Sequence, residues 1–452
     1  MNYNNNDIII AQSTPRGNSA LAVIRLSGNT LVSFLPLFLN KKKIKPRYSY
    51  TIEFKGFCSK ELIDTCVVVY YKSPHSFTGE DMLEISCHGN EFIVEKIINE
   101  FIIKGVRIAY PGEFSYRAFQ NNKIDLMQAE SIAEKITANS GAYGVALQNI
   151  ENGTVSRQLL SLKRMILNTM SIIEHELDFN EEEITHLEIK KIKNEFQEIK
   201  KELNLILERS SQIKKTNQGY KVIILGYPNV GKSTLFNKIL GTDRAIVTSI
   251  EGTTRDILEA NIKIQNIPFT FYDTAGYRKT KDIIEALGIK KTLSALKSAD
   301  IVLILDEKQP KKIMQELLAS KLLNKTTVGV CVQTKCDTLK KGYIIKNKEI
   351  KISAQNNVGV NSLLTYLVTL IDNNIEKSTY QNIVLCNERQ INLIIKAQEK
   401  IAVVLEDVNQ GCSMDIVASG CKDFIAIIEE LLGKITSVDI LNNVFKGFCV
   451  GK

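Results

Sequence analysis

The sequence predicts a multidomain protein of mixed α+β and α/β class: an N-terminal α+β domain, a helical domain in two pieces, and an inserted α/β domain with a mostly parallel sheet. Three observations predict it. Short β-like runs and turn clusters fill the first 120 or so residues; apolar residues recur every three or four positions in two long stretches either side of the middle; and from Tyr220 to about Asp372 short apolar runs alternate with helical segments. The expected boundaries are 1–120, 121–217, 218–375 and 376–452.

In the first domain the β-like runs are Ala20 to Leu26, Thr65 to Tyr71 and Met82 to Ser86, with an amphipathic stretch from Glu91 to Ile103. From Ser156 the chain turns helical. Leu159, Leu162, Ile166, Thr169 or Met170, Ile173 and Leu177 lie three or four apart and predict one long helix. After the acidic break Asp178 to Glu183, a stripe of Ile189, Ile192, Phe196, Ile199, Leu203 and Ile206 predicts a second, so the two form a hairpin. The polar, glycine-terminated Lys214 to Gly219 reads as the link to the inserted domain. There the strands are expected at Lys221 to Leu225, Phe269 to Tyr272, Ile301 to Leu305, Val328 to Val332 and Ile350 to Ile352. After Asn382 the helical pattern resumes with Ile391, Ile394, Ile401, Leu405 and Val408, then Phe424, Ile428, Leu431 and Leu432.

The chain has 452 residues, 44% hydrophobic and 24% charged, which excludes a mainly disordered or fibrous protein. Its apolar runs are far shorter than the roughly 20 residues a membrane-spanning helix needs. Met1 to Asp7 has no secretory or mitochondrial pattern, so a cytoplasmic protein without membrane contact is expected. Nine scattered cysteines without a Cys-x-x-Cys pair, and four histidines, suggest neither a disulfide framework nor structural zinc. The net charge of +8 is compatible with a nucleic-acid partner, while the run Lys41-Lys42-Lys43-Ile44-Lys45 reads as solvated loop.

The chemistry is concentrated in the inserted domain. Gly226-Tyr227-Pro228-Asn229-Val230-Gly231-Lys232-Ser233-Thr234 fits G-x-x-x-x-G-K-[ST] between a strand and a helix, the context in which backbone N–H groups wrap a polyphosphate. Lys232 is expected at the β and γ phosphates and Ser233 on magnesium. Asp273-Thr274-Ala275-Gly276 ends the next strand: its aspartate can support magnesium through water, and its glycine N–H can meet the γ-phosphate. Between them, one of the threonines of Gly252-Thr253-Thr254-Arg255-Asp256 can complete the magnesium shell. Thr334-Lys335-Cys336-Asp337 closes another strand, with Asp337 placed to accept two hydrogen bonds from a guanine edge, and Ser353-Ala354 offers N–H groups to the guanine oxygen. The five elements in this order predict a Ras-like P-loop domain that binds and hydrolyses GTP.

Two departures matter. Thr334 stands where the guanine motif has Asn; it donates one hydrogen bond but has no amide, which predicts weaker nucleotide binding with guanine selectivity kept by Asp337. Tyr277 stands where Ras-like enzymes place a water-orienting glutamine. No arginine finger is evident in the loops, and the side-chain oxygen of Asn229 suits a monovalent cation, so potassium could supply the missing positive charge.

Beyond this domain the chain carries Arg25-Leu26-Ser27-Gly28, Thr78-Gly79-Glu80-Asp81, His88-Gly89, Pro111-Gly112-Glu113-Phe114-Ser115-Tyr116-Arg117-Ala118-Phe119, Lys123-Ile124-Asp125-Leu126, Gln128-Ala129-Glu130 and a terminal Phe448-Cys449-Val450-Gly451-Lys452. With these motifs, spread over both ends and the middle, the whole chain resembles the MnmE (TrmE) family of tRNA modification GTPases. The resemblance implies a tetrahydrofolate-binding and dimerising N-terminal domain, a discontinuous helical domain, and a G domain that dimerises with potassium and GTP. It implies work with the FAD protein MnmG (GidA), as a homodimer within a heterotetramer. Together they build an aminomethyl or carboxymethylaminomethyl group on C5 of the wobble uridine (U34) of certain tRNAs, from a folate such as 5,10-methylene- or 5-formyl-tetrahydrofolate; FAD belongs to the partner.

Carried over by motif, Arg25, Glu84, Lys123 and Lys452 look like folate contacts. Asn229, Thr248, Ile250 and Thr253 look like the potassium site, with Ser233 and Thr254 on magnesium. Ser249, Glu251 and Gly252 complete the GTP-contacting segment. Glu285 occupies the family's water-orienting position, and Cys449 joins Glu285 and Lys232 as a catalytic candidate. His88, followed by Gly89, reads as a turn or packing residue. The family's second glycine there is Asn90, and its Asn-Gly before Lys123 is Asn121-Asn122, where asparagine's tolerance of positive φ would preserve the loops. A ribosome-assembly GTPase is the first alternative, disfavoured because no KH-like module follows a G domain that starts near residue 220. A non-catalytic folate-binding scaffold is the second, disfavoured by the intact Lys232, Ser233, Thr254 and Asp273.

Overall fold

The computed structural model describes residues 7–38, 44–178, 186–241, 258–273, 296–320, 323–324, 326–337, 343–345, 349–372, 384–435, 438–448 and 451. The chain divides into two compact units: Met1–Thr137, Leu147–Asn204 and Asn387–Lys452 form the first, and Ala138–Ala146 with Leu205–Cys386 the second.

The first unit holds a six-stranded sheet in the order β3-β4-β5-β2-β1-β6, built from β1 (Ile9–Gln12), β2 (Ser19–Ser27), β3 (Ser49–Lys55), β4 (Leu62–Tyr71), β5 (Met82–Gly89) and β6 (Arg107–Ile108). All pairs are antiparallel except β1 with β6. Alternation along β2 and β5 sends Ile24, Leu26, Leu83 and Ile85 into a core capped by α2 (Glu91–Ile103), whose Val94, Ile97 and Phe101 are buried. This covers one face of the sheet and leaves Arg25 and Glu84 on the other. The sequence had suggested three of the six strands; β1 and β6 are too short to show an alternating pattern. Helices α3 (Glu113–Gln120), α4 (Leu126–Ile136) and α5 (Gly141–Glu151) follow. Asp125 caps α4 in a reciprocal box with Gln128.

The two long helices are α6 (Thr154–Asp178) and α7 (His186–Gln218). Leu159, Leu162, Ile166 and Ile173 on α6 are buried, as are Ile192, Phe196, Ile199, Leu203 and Ile206 on α7. The link expected from Lys214 is instead the last turn of α7: buried Ile213 and Thr216 carry the stripe onward, and the break falls at Gly219, at φ +87°.

The second unit carries a seven-stranded sheet in the order β12-β13-β11-β10-β7-β9-β8, from β7 (Tyr220–Gly226), β8 (Leu258–Ile264), β9 (Ile267–Asp273), β10 (Ile301–Asp306), β11 (Val328–Gln333), β12 (Tyr343–Ile345) and β13 (Glu349–Lys351). The five central strands are parallel and the edge strands β8 and β12 antiparallel. Unbroken buried runs, Val222 to Leu225 and Ile301 to Leu305, mark strands covered on both faces. Helices α8 (Lys232–Leu240) and α10 (Val360–Asp372) contribute to one core, α9 (Pro310–Ala319) to the other.

In the first unit α11 (Glu388–Gln410), α12 (Met414–Leu432) and α13 (Val438–Lys446) complete the fold. Just after the chain re-enters this unit, Arg389 forms a bidentate pair with buried Glu130 at 2.6 and 2.9 Å, and donates to the carbonyls of Glu430 and Leu431 at the end of α12.

Candidate functional site

Parallel strands end together, and in the second unit their C-terminal ends carry the nucleotide motifs. Gly226, at the end of β7, lies abreast of Leu305 on β10, so close that a Cβ would stand 2.4 Å from the Leu305 carbonyl oxygen. Asp273, 2% exposed, ends β9 abreast of Ile224. The loop then turns through Asn229 at φ +66° and Gly231 at φ +97°, and α8 begins at Lys232 with its first amide groups unpaired within the helix. Buried Val230 anchors the loop in the core, while Asn229, Ser233 and Thr234 are exposed.

The Lys232 ammonium folds back across the loop and donates to the Gly226 and Tyr227 carbonyls at 2.9 and 2.8 Å. Burial pulls its pKa below the ordinary lysine value, and the nearby Asp273 carboxylate works against that shift. A phosphate reaching this loop offers the ammonium a charged partner in place of two neutral carbonyls.

The base side is equally ordered. Thr334, 3% exposed, receives its backbone position from a hydrogen bond to the Asp306 carbonyl, while its hydroxyl has no partner among the described residues. Lys335 adopts φ +55° and pairs with Glu307 at 2.6 Å. The buried Ser353 hydroxyl donates to Asp337 Oδ1 at 2.5 Å, which fixes that carboxylate beside the Ser353-Ala354 segment. Asn229, Val230, Gly231, Lys232, Ser233, Thr234, Asp273, Thr334, Lys335, Asp337, Ser353 and Ala354 thus stand at one end of one sheet. Thr248, Ser249, Ile250, Glu251, Gly252, Thr253, Thr254, Thr274, Ala275, Gly276, Tyr277 and Glu285 lie outside the described residues.

A second cluster lies in the first unit. Arg25 on β2 is abreast of Glu84 on β5, and the two pair at 2.7 Å. The Tyr71 hydroxyl donates to the other oxygen of Glu84 at 3.2 Å; burial, then the Glu84 charge, pushes its pKa up and keeps it a donor. The Lys123 ammonium donates to the Pro74 carbonyl at 2.9 Å. Gly451 packs on the end of β1: Ser13 Oγ donates to its carbonyl at 3.1 Å, and a Cβ on it would meet the Gln12 oxygen at 2.4 Å. Gln12 is one residue beyond Ala11, which is abreast of Arg25. Gly451 therefore packs on β1, the strand paired with the Arg25-bearing β2; Cys449 and Lys452 themselves lie outside the described residues.

The sequence reading missed what makes this docking possible. Gly112, at φ +69°, admits the Phe445 carbonyl and Phe448, and Phe445 and Phe448 join Leu126, Ala129 and Leu441 in one buried cluster. A glycine before an acidic helix start was the only signal. Two other expectations are corrected. His88 is neither a turn nor a packing residue: it sits exposed on β5, its ring bonded to Asp64 at 2.8 Å. Asn90 needs no positive φ; at φ −114° it caps α2 by accepting from Phe92 N, whereas Asn122 does take φ +54°. The buried thiols are inert, burial pushing Cys66 up to about 12 and Cys87 up to about 11.

Comparison with known proteins shows the family of the chain. Residues 8–123 match the family model described as the GTP-binding protein TrmE N-terminus, and residues 126–449 match the MnmE helical domain. The chain is 36% identical to the tRNA modification GTPase MnmE of Aquifex aeolicus over 98% of its length and 99% of the relative's. It is 34% identical to that of Thermosipho melanesiensis, covering 99% and 100%, and 35% identical to that of Christiangramia forsetii, covering 99% of each. The phosphate loop at the strand ends, the Arg25–Glu84 pair and full-length similarity to these enzymes lead to one conclusion: the chain belongs to the MnmE family of tRNA modification GTPases.

Proposed function

We propose that this protein is a potassium-activated GTP hydrolase of the cytoplasm. As a homodimer joined to the FAD-dependent MnmG, it adds an aminomethyl or carboxymethylaminomethyl group to C5 of the wobble uridine of certain tRNAs with a folate one-carbon unit. The Arg25–Glu84 pair on β2 and β5, with Gly451 packed on the neighbouring strand β1, is the observation that carries the folate part of this reading. A guanidinium, a carboxylate and an ammonium suit a pterin edge and an anionic glutamate tail, which Arg25, Glu84, Lys123 and Lys452 would divide among them.

On the nucleotide, Lys232 and the amides opening α8 bind phosphate charge and Asp337 selects guanine. Ser233 and Thr254 would hold magnesium, and Asn229, Thr248, Ile250 and Thr253 potassium; the exposed oxygens of Asn229 and Ser233 at the loop fit that role. When bound, the two cations supply positive charge to the phosphoryl group in flight. Glu285 orients the attacking water. Folate donates carbon rather than phosphate, so GTP hydrolysis acts on the uridine chemistry through conformation, and Cys449 is the candidate thiol at the folate end.

Mass spectrometry of wobble uridines in tRNA incubated with the FAD partner, folate and GTP tests the reading. The wild type is expected to modify uridine and to turn over GTP faster in potassium than in sodium, whereas Lys232→Ala should bind folate but leave uridine unmodified. Full modification by Lys232→Ala, or equal turnover in the two salts, would overturn it.

A further inference from the structure

The motif Thr78-Gly79-Glu80-Asp81, in the turn joining β4 and β5, has no part in the reading above, yet every one of its residues is engaged. Glu80, 3% exposed, accepts from Arg117 Nη1 at 3.0 Å and from Ser27 Oγ at 2.7 Å. Arg117, itself 1% exposed, also pairs with Glu113 at 3.2 Å and Asp7 at 2.6 Å. Asp81 accepts the Ser73 N–H at 2.8 Å, and the Ser27 and Thr78 hydroxyls share a bond of 2.7 Å. This largely buried ion network fixes the turn in one conformation, since breaking the Glu80–Arg117 pair leaves a charge stranded in low dielectric.

What the fixed turn faces is Lys123. Asn121 Nδ2 donates to the Thr78 carbonyl at 2.7 Å and the Lys123 ammonium to Pro74, at the near end of the same turn. Gly79, at φ +79°, lies against the lysine stem: a Cβ there would stand 3.0 Å from Asn121 Cβ and 3.2 Å from Lys123 Cγ. A side chain at 79 would be strained by its own backbone and would push the lysine aside.

We propose that the Thr78–Asp81 turn, locked from beneath by Arg117, is the positioning element for Lys123, with Gly79 and Asn121 setting where its ammonium meets the anionic part of the folate. The proposal rests on the reading of Lys123 as a folate contact, and a double-mutant cycle separates the two. The full-length protein is titrated with 5-formyl-tetrahydrofolate as wild type, Gly79→Ala, Asn121→Ala, Lys123→Ala and the two doubles containing Lys123→Ala. Thermal unfolding is followed for each.

Gly79→Ala and Lys123→Ala should each weaken binding about tenfold, Asn121→Ala by less, and neither Gly79→Ala nor Asn121→Ala should weaken it further once Lys123 is gone. Additive losses in the doubles would overturn the positioning role, because the turn would then act on binding without Lys123. Undiminished binding by Gly79→Ala would overturn it as well. Undiminished binding by Lys123→Ala, or none by the wild type, would instead refute the folate contact on which it rests, and the positioning role with it. If Gly79→Ala unfolds, the Asn121→Ala and Lys123→Ala cycle, which introduces no Cβ clash, decides by itself.

Discussion

Replacing Gly112 with alanine should loosen the C-terminal helix without touching any ligand-contacting group. The residue holds φ +69°, a region that costs an L-residue roughly 1–2 kcal/mol. The added methyl would also stand 2.6 Å from the Phe445 carbonyl oxygen and 3.0 Å from Phe448 Cβ, neither of which can rotate away. Relief requires α13 to shift, and Phe445 and Phe448, at 0% and 7% exposure, then lose part of their burial. A buried phenylalanine contributes roughly 1.5–3 kcal/mol, so partial exposure of two costs about 2. The total, about 3 kcal/mol, corresponds to roughly a hundredfold increase in local opening at about 1.4 kcal/mol per tenfold step. Hydrogen exchange read by mass spectrometry on peptides covering Val438–Lys446 should show that acceleration, with α6 serving as the internal reference. Unchanged exchange in α13 would refute the close-packing argument and the claim that Gly112 holds the chain end in place.

Two further outcomes are expected. Thr334→Asn should bind GDP several-fold more tightly, measured by displacement of a fluorescent guanine nucleotide, because the buried Thr334 hydroxyl has no partner among the described residues and an amide gives that position a second bonding group; weaker or equal binding would show that the pocket is built around threonine. Asp7→Asn should lower stability by about 1–2 kcal/mol at pH 7 and by progressively less as pH falls below the usual carboxylate range, read from urea titrations. Although burial raises the Asp7 pKa, hydrogen bonds from Arg107 and Arg117 outweigh it and hold the carboxyl below its usual value; the stabilisation is complete above the unfolded value of about 3.9 and disappears as pH falls through the lowered one. A loss that stays constant as pH falls would rule out the ion pairs as its source.

Where function depends on local pattern, it was legible in the sequence. The phosphate loop is read from eight consecutive residues, Gly226 to Ser233, because strand, glycine turn and helix start are all local, and the buried parallel strands announce themselves as unbroken apolar runs such as Ile301 to Leu305. The long helices α6 and α7 were equally plain, except that Lys214 to Gln218 looked like a link: lysine and asparagine say little about helix ends while an apolar stripe at Ile213 and Thr216 still has something to cover. Contacts across hundreds of residues were invisible. That Gly112 receives Phe445 and that Ser13 holds Gly451 are facts of tertiary placement, as is, over a shorter span of 37 residues, the Arg117–Glu80 pair, and a motif with no pattern of its own gives them away only once the fold is known.

The Arg389–Glu130 clamp bears on how a chain can carry a whole domain in its middle. Residues Leu205–Cys386 form, for the unit that surrounds them, one long loop whose ends must be brought together when that unit folds. The entropy of closing such a loop grows only as the logarithm of its length, so doubling it adds only about 0.6 kcal/mol. A bidentate ion pair made immediately after re-entry, tied also to the last carbonyls of α12, fixes the point at which that loop closes. The host unit is thus only weakly sensitive to the size of its guest: an insert half or twice as long would change the closure cost by only about 0.6 kcal/mol, with the clamp closing the loop in either case.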